Sequence, residues 1–308
     1  MTTGSRAWIA AAILFGSRAS APALAQEDAP DDWRDDPRAQ LRVIVEPYAV
    51  VGFSADFDSG GDIAVRRSGW RLSLRQPVSR RWTVALDLEN EYSFADYTLP
   101  PGLGGGDPVD LLTTVRLLPS LTYRVNRRWT ATATGRFEVT GESGADLGGS
   151  VLGGVFLTAR HKVSDRLTVG FGVGVMQQLE DTVQVFPTPQ LDWRPNDRVR
   201  VYTDHLGLNL ERTLAGPWFV TVRARYQPRE YRLDDGAGSL LADGVLRDDS
   251  VLLGVELGWR PRPGVEAGLE AGVIAFQQLE VLDPTGEEVF DDNADPTGFI
   301  AARLRLRF

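Results

Sequence analysis

From about residue 41 onward, apolar and polar residues alternate, and this period of two constrains the chain more than any other feature. Trp82, Val84, Leu86 and Leu88 fall on one parity, and Thr83, Asp87, Glu89 and Glu91 on the other. In an extended strand the two parities occupy opposite faces. Segments 129–140, 249–260 and 265–280 repeat the pattern. The last segment sets Ile300, Ala302, Leu304, Leu306 and Phe308 against Arg303, Arg305 and Arg307. No run reaches the ~18 apolar residues of a transmembrane helix. Many half-apolar strands then have two homes. A soluble sandwich turns its apolar faces inward, whereas a membrane barrel turns them to lipid and keeps polar residues inside.

Three features favour the barrel. Short connections, near 79–80, 126–127, 164–165, 195–197, 215–216 and 262–264, alternate with long ones at about 94–108, 141–150, 233–247 and 281–295. Membrane barrels pair short periplasmic turns with long outer loops in this way. Five of the eight tryptophans, Trp82, Trp129, Trp193, Trp218 and Trp259, sit beside the short turns. Their rings suit a girdle at the membrane–water interface. The third feature is the final strand, which ends on Phe308. In this the sequence resembles Gram-negative outer-membrane β-barrel proteins of the porin-like kind, without indicating a subfamily. The resemblance implies that the C-terminal strand and Phe308 are read by the barrel assembly machinery. It also implies residence in the outer membrane, with its lipids and lipopolysaccharide as partners.

Strand number follows from parity. Twelve strands are expected at about 41–54, 63–76, 82–93, 109–124, 129–140, 151–162, 167–179, 184–194, 218–232, 249–260, 265–280 and 297–308. With both chain ends on the periplasmic side the count is even. Residues 197–213 must then go up and return, with a tight hairpin near Asp204-His205. This predicts an all-β, antiparallel up-and-down barrel of 14 strands, the alternative being 12. Pro47, Pro119, Pro187, Pro189 and Pro228 fall inside assigned strands. Proline cannot donate to a ladder, so each needs a bulge or a strand end.

A barrel of that size, with strands ~4.8 Å apart and tilted ~40°, has a backbone radius of about 14 Å, leaving unfilled space inside. The polar parity places Arg67, Arg71, Arg75, Asp87, Glu89, Glu91, Arg116, Arg136, Glu138, Arg223, Arg225, Glu256, Glu270, Arg303 and Arg305 along the lumen. Two readings follow: a water-filled channel with a basic bias and weak anion preference, or a salt-bridge network that blocks flow. The outer loops are acidic, with Asp56, Asp58, Asp62, Glu180, Asp181, Asp234, Asp235, Asp243, Asp248, Asp249, Asp283, Glu287, Glu288, Asp291, Asp292 and Asp295.

The first 25 residues read as a signal peptide: Arg6, an apolar core from Ala7 to Phe15, and a small-x-small site at Ala23-Leu24-Ala25. Its removal takes Arg6 and Arg18 and no acid, so the net charge moves from −9 to −11. Residues 26–40 form an acidic lead without apolar period, and 41–308 the barrel. The chain has no cysteine and only His161 and His205, which excludes thiolate and His-rich metal centres. No clustered basic surface points to nucleic acid. No cofactor or metal is expected. Asp291-Asp292-Asn293-Ala294-Asp295 is followed by Pro296 where a calcium loop needs glycine. Gly102-Leu103-Gly104-Gly105-Gly106 lacks the lysine of a phosphate loop. His161 near Ser164 and the Asp204-His205 pair are the only hydrolase-like hints, and no catalytic residue is assigned. The expected role is porin-like, passive passage of small hydrophilic solutes. The alternatives are a closed structural or adhesive barrel acting through its acidic loops and, least of all, a barrel hydrolase.

Overall fold

The computed structural model describes residues 40–98, 109, 111–180, 183–204, 206–235 and 242–308. The expected leader, residues 26–39 of the acidic lead, the glycine-rich 102–106, Asp181 and His205 lie outside them. The described chain is all-β. Its strands are β1 (Arg42–Gly52), β2 (Ala55–Asp56), β3 (Asp62–Pro77), β4 (Trp82–Thr98), β5 (Leu111–Arg124) and β6 (Trp129–Glu142). There follow β7 (Val151–Lys162), β8 (Leu167–Met176), β9 (Gln184–Pro187), β10 (Gln190–Asn196), β11 (Val199–Asp204) and β12 (Gly207–Thr213). The rest are β13 (Trp218–Arg232), β14 (Val245–Arg262), β15 (Val265–Leu282), β16 (Glu288–Ala294) and β17 (Thr297–Arg307).

Three pairs, β1 with β2, β9 with β10 and β16 with β17, are single staves broken once, so seventeen segments make fourteen staves. Each stave pairs antiparallel with its sequence neighbour, and β1 closes on β17 through Ile44↔Arg307 to Gly52↔Phe299. The count of 14 rests on the β11–β12 hairpin, whose ladder runs from Val199↔Arg212 to Asp204↔Gly207. That hairpin is the pair the parity of the short turns required.

The wall is uneven in height. β14 and β15 have 18 residues each, β11 and β12 only six and seven. At the loop end β6 and β13 meet in parallel at Gly141↔Arg232, where the Thr140 hydroxyl donates to the Glu230 carbonyl at 2.7 Å. Nine staves therefore close on one another above the five that run from β7 to β12. Rings near eight strands are narrow enough for side chains to fill, and this one is filled. Ile63, Val65, Leu112, Tyr231, Leu246, Leu279 and Val281 form a core of residues at most 5% exposed. The expected unfilled space is thus confined to the turn-end side of this ring. The long strands also absorb part of the expected acidic loops. Asp248 and Asp249 lie in β14, Asp291 and Asp292 in β16, Asp56 in β2 and Asp62 in β3.

The five strand prolines are explained by the ladders. β1–β17 pairing skips Glu46 and Pro47, and β5–β6 pairing skips Leu118 and Pro119. Gly135 faces Pro119, whose ring lies 3.4 Å from where a Cβ would stand. Pro187, Pro189 and Pro228 border one interruption in the wall. The Thr188 N–H points to β8, and the Tyr226 N–H to Leu206, the last contact with the hairpin. N–H direction alternates along an antiparallel strand. Pro187 and Pro189 thus turn their missing donors away from β8. Pro228 turns its own to the side where β12 has already ended.

Outside, Val84, Phe137, Phe171, Leu257, Leu269 and Ile300 are among the exposed apolar residues on the outward parity. Trp82, Trp129, Trp193, Trp218 and Trp259 stand at the short-turn end, 40–44% exposed. Trp218 sits opposite Trp259, Trp82 lies against Tyr123 and Trp129 against His161. The turns beside Trp82, Trp129 and Trp193 share one device. The Ser79 hydroxyl accepts the Arg81 and Trp82 N–H groups at 3.2 and 3.0 Å, and the Asn126 side chain those of Arg128 and Trp129 at 2.8 and 2.9 Å. Asn196 does the same for Arg198 and Val199, both at 3.0 Å. Ser and Asn are turn formers for this reason.

Candidate functional site

The strand period turns the predicted lumen residues inward, and all of them but Arg75 and Asp87 meet in ion pairs. An unbroken sequence of alternating arginines and glutamates runs round the inner wall from β6 to β13. Arg136 Nε donates to Glu138 at 2.7 Å, and Arg116 reaches Glu138 at 2.7 Å and Glu89 at 3.1 Å. Arg71 spans Glu89 at 3.0 Å and Glu46 at 3.6 Å. Arg303 lies 3.9 Å from Glu46 and 2.6 Å from Glu256. Arg223 joins Glu256 at 2.7 Å to Glu270 at 2.9 Å, and Arg225 ends the belt on Glu270 at 2.6 Å. Glu138 and Glu256, 4% and 1% exposed, would be prohibitive to bury without these cations. Arg305 pairs with Glu46, Arg67 with Asp248, and Arg229 with Glu91 at 2.8 Å. Arg75 and Asp87 face the lumen nearer the turn end.

The belt stops where the low wall begins. From β7 to β10 the inner face carries Phe156, Thr158, Phe186, Thr188 and Gln190. β8 supplies only glycine beneath them. A Cβ on Gly172 would stand 2.3 Å from the Leu157 carbonyl and 2.4 Å from the Thr188 hydroxyl, so no other residue fits. The Thr188 hydroxyl and Gln190 amide nitrogen have no hydrogen-bond partner among the described residues.

These walls enclose a chamber of about 300 Å³ between belt and low wall. It adjoins a vestibule of about 1250 Å³ at the turn end, the two sharing Glu46, Arg71, Asp87, Ser120, Arg223 and Arg303. On the loop-end side lies the apolar core. Sequence reasoning missed Glu46, Tyr48, Arg229, Asp248 and the Thr188–Gln190 wall. Pro47 interrupts the alternation around Glu46 and Tyr48, and Pro187 and Pro189 flank Thr188. The parity rule still reaches Glu46 and Tyr48 if the strand is continued through the proline.

Other candidates resolve differently. His161 turns outward onto Trp129 with ring centroids 4.5 Å apart, and the Ser164 hydroxyl accepts the Arg166 N–H. Asp292 accepts the Ser59 N–H at 2.8 Å and its hydroxyl at 2.5 Å, and Asp291 accepts from Gln278. No group of three or more His, Cys, Asp or Glu among the described residues is placed to hold a metal. Phe308 ends the closing stave, its N–H on the Val43 carbonyl at 2.9 Å.

A closed antiparallel ring with an apolar exterior and a charged interior satisfies every backbone group in a bilayer. This defines the class: the chain folds as an integral membrane β-barrel of fourteen antiparallel staves. No protein-family model matches it, and no curated protein matches its sequence. Similar solved structures include the COG4313 outer membrane channel from Pseudomonas putida F1, at a TM-score of 0.46 and 11% identity over 92% of this chain and 100% of that one. A Pseudomonas aeruginosa FadL homologue aligns at 0.44 and 12%, over 86% and 90%. The P. putida toluene transporter TodX aligns at 0.43 and 10%, over 94% and 92%.

Proposed function

We propose that the barrel passes small hydrophilic solutes passively, by way of the turn-end vestibule and the chamber, and that its loop end must part for each passage. The observation that carries this reading is the pair of adjoining spaces inside the barrel, about 1250 and 300 Å³, with charged side chains in their walls. A barrel needed only as a wall gains nothing from an unfilled, charge-lined interior. The apolar core at the loop end separates this reading from a wide, permanently open pore. The test is planar-bilayer recording of the refolded protein together with radiolabelled solute flux into vesicles. Brief, small conductance steps with measurable flux are expected. A correctly folded barrel with neither steps nor flux would overturn the proposal. It would also favour the second reading, a closed structural barrel acting through its loops, which the filled loop end supports. Outer-membrane lipid, lipopolysaccharide and the assembly machinery are the partners either reading implies.

A further inference from the structure

The vestibule holds more positive charge than its own acids balance. Thirteen arginines and six carboxylates line it. Five of those arginines, Arg42, Arg75, Arg198, Arg262 and Arg307, have no ion-pair partner among the described residues. Two stand directly opposite each other, Arg42 on β1 and Arg75 on β3. Like charges placed so are destabilising unless something neutralises them. On the other side of β1, Ile44 pairs with Arg307 of β17. Three neighbouring staves thus bring guanidinium groups to one rim. The acid on the next stave, Asp87, is opposite Ser73 rather than Arg75. Guanidinium forks match the paired oxygens of carboxylates and phosphates.

We propose that the turn-end vestibule is a binding site for a multivalent oxyanion, gripped by Arg42, Arg75 and Arg307. The site does not depend on solute passing through the barrel. Carboxylate or phosphate oxygens can reach it from two sources. One is a free anion in the compartment facing the turn end. The other is residues 26–40 of the same chain, with Glu27, Asp28, Asp31, Asp32, Asp35 and Asp36 just ahead of Arg42.

The test is calorimetric titration of the refolded chain, residues 26–308, with inorganic pyrophosphate at low and high salt. Saturable binding is expected, weakened by salt and at least tenfold weaker in the Arg42→Gln/Arg75→Gln variant. Arg42→Lys/Arg75→Lys, which keeps the charge and preserves the fold if the glutamines do not, is expected to fall between. Arg127→Gln, outside the vestibule, is expected to bind as the parent does. A further chain converts the six acids of residues 26–40 to amides. Several-fold tighter pyrophosphate binding there supports the site and makes the chain's own carboxylates its occupant. Unchanged binding supports the site and makes a free anion its occupant. Absence of saturable binding in both parent and amide chain would overturn the proposal, as would binding indifferent to Arg42 and Arg75.

Discussion

Glu138 carries two cations on one carboxylate. Arg116 reaches it at 2.7 and 3.1 Å and Arg136 at 2.7 Å, and the group is 4% exposed. Replacing it with glutamine keeps the shape, takes from Arg136 its carboxylate and leaves Arg116 with Glu89 alone. Removing one partner of a buried pair costs about 3–5 kcal/mol. Glu138→Gln is therefore expected to lower the unfolding free energy from urea titration in lipid vesicles by that amount, while the exposed Glu288→Gln is expected to leave it unchanged. The turns offer a smaller effect. Asn126 accepts two N–H groups that would otherwise depend on water, so Asn126→Ala is expected to cost about 1 kcal/mol in the same experiment. The loop between β15 and β16 gives a pH test. Hydrogen bonds from the Thr285 side chain, and then from the backbone of Glu287 and Thr285, hold the Asp283 carboxyl below its ordinary value of 3.8. A depressed carboxylate contributes its interactions above the unfolded pKa and loses them as pH falls through the folded one. Protection of the Thr285 and Glu287 amides, their exchange relative to the intrinsic rate at each pH, is expected to hold down to pH 3.8 and to fall below it. Loss of protection already at pH 5 would contradict the assignment.

At the scale of the strand, alternation was decisive because each side chain answers to one of only two environments. That is why residues as far apart as Arg67 and Arg303 could be placed in the lumen without any knowledge of their partners. The partners were not legible, since pairing depends on which staves adjoin and at what register. Stave heights were not legible either. The 233–247 and 281–295 segments read as acidic loops because charge looks the same on a solvated loop and on a strand that rises above the membrane. Asp248 shows the difference, being 1% exposed and paired with Arg67 across the lumen. The prolines were legible as a conflict with the strand assignment, but only the ladder explains them. Pro228 directs its absent N–H to an edge that β12 has already left. Pro228→Ala, which restores a donor with no acceptor opposite, is expected to change stability by no more than about 0.5 kcal/mol. A loss well beyond that, read from the unfolding midpoint, would mean that the ring is packed rather than merely tolerated.

At the scale of the molecule, fourteen staves at the turn end become nine at the loop end, and this contraction controls the interior. A fourteen-stave tube leaves space that a nine-stave tube does not. The vestibule accordingly keeps a space that its side chains do not fill, while the loop end is apolar and filled. If solute leaves through the loop end, the core of Ile63, Leu112 and Leu279 must unpack at each opening, and the energy of that packing sets how often it happens. These side chains are at most 1% exposed, so truncating one costs about 2–5 kcal/mol. Part of that cost is relieved in the open state, where the contacts are already lost. Leu112→Ala is therefore expected to raise open probability in bilayer recordings at least tenfold, with the single-step conductance unchanged because the belt still lines the path. Glu138→Gln, which alters the belt and not the core, is expected to change the conductance of each step instead. If Leu112→Ala lowers stability as expected but leaves open probability untouched, the loop end is not the gate, and any passage must avoid the nine-stave ring.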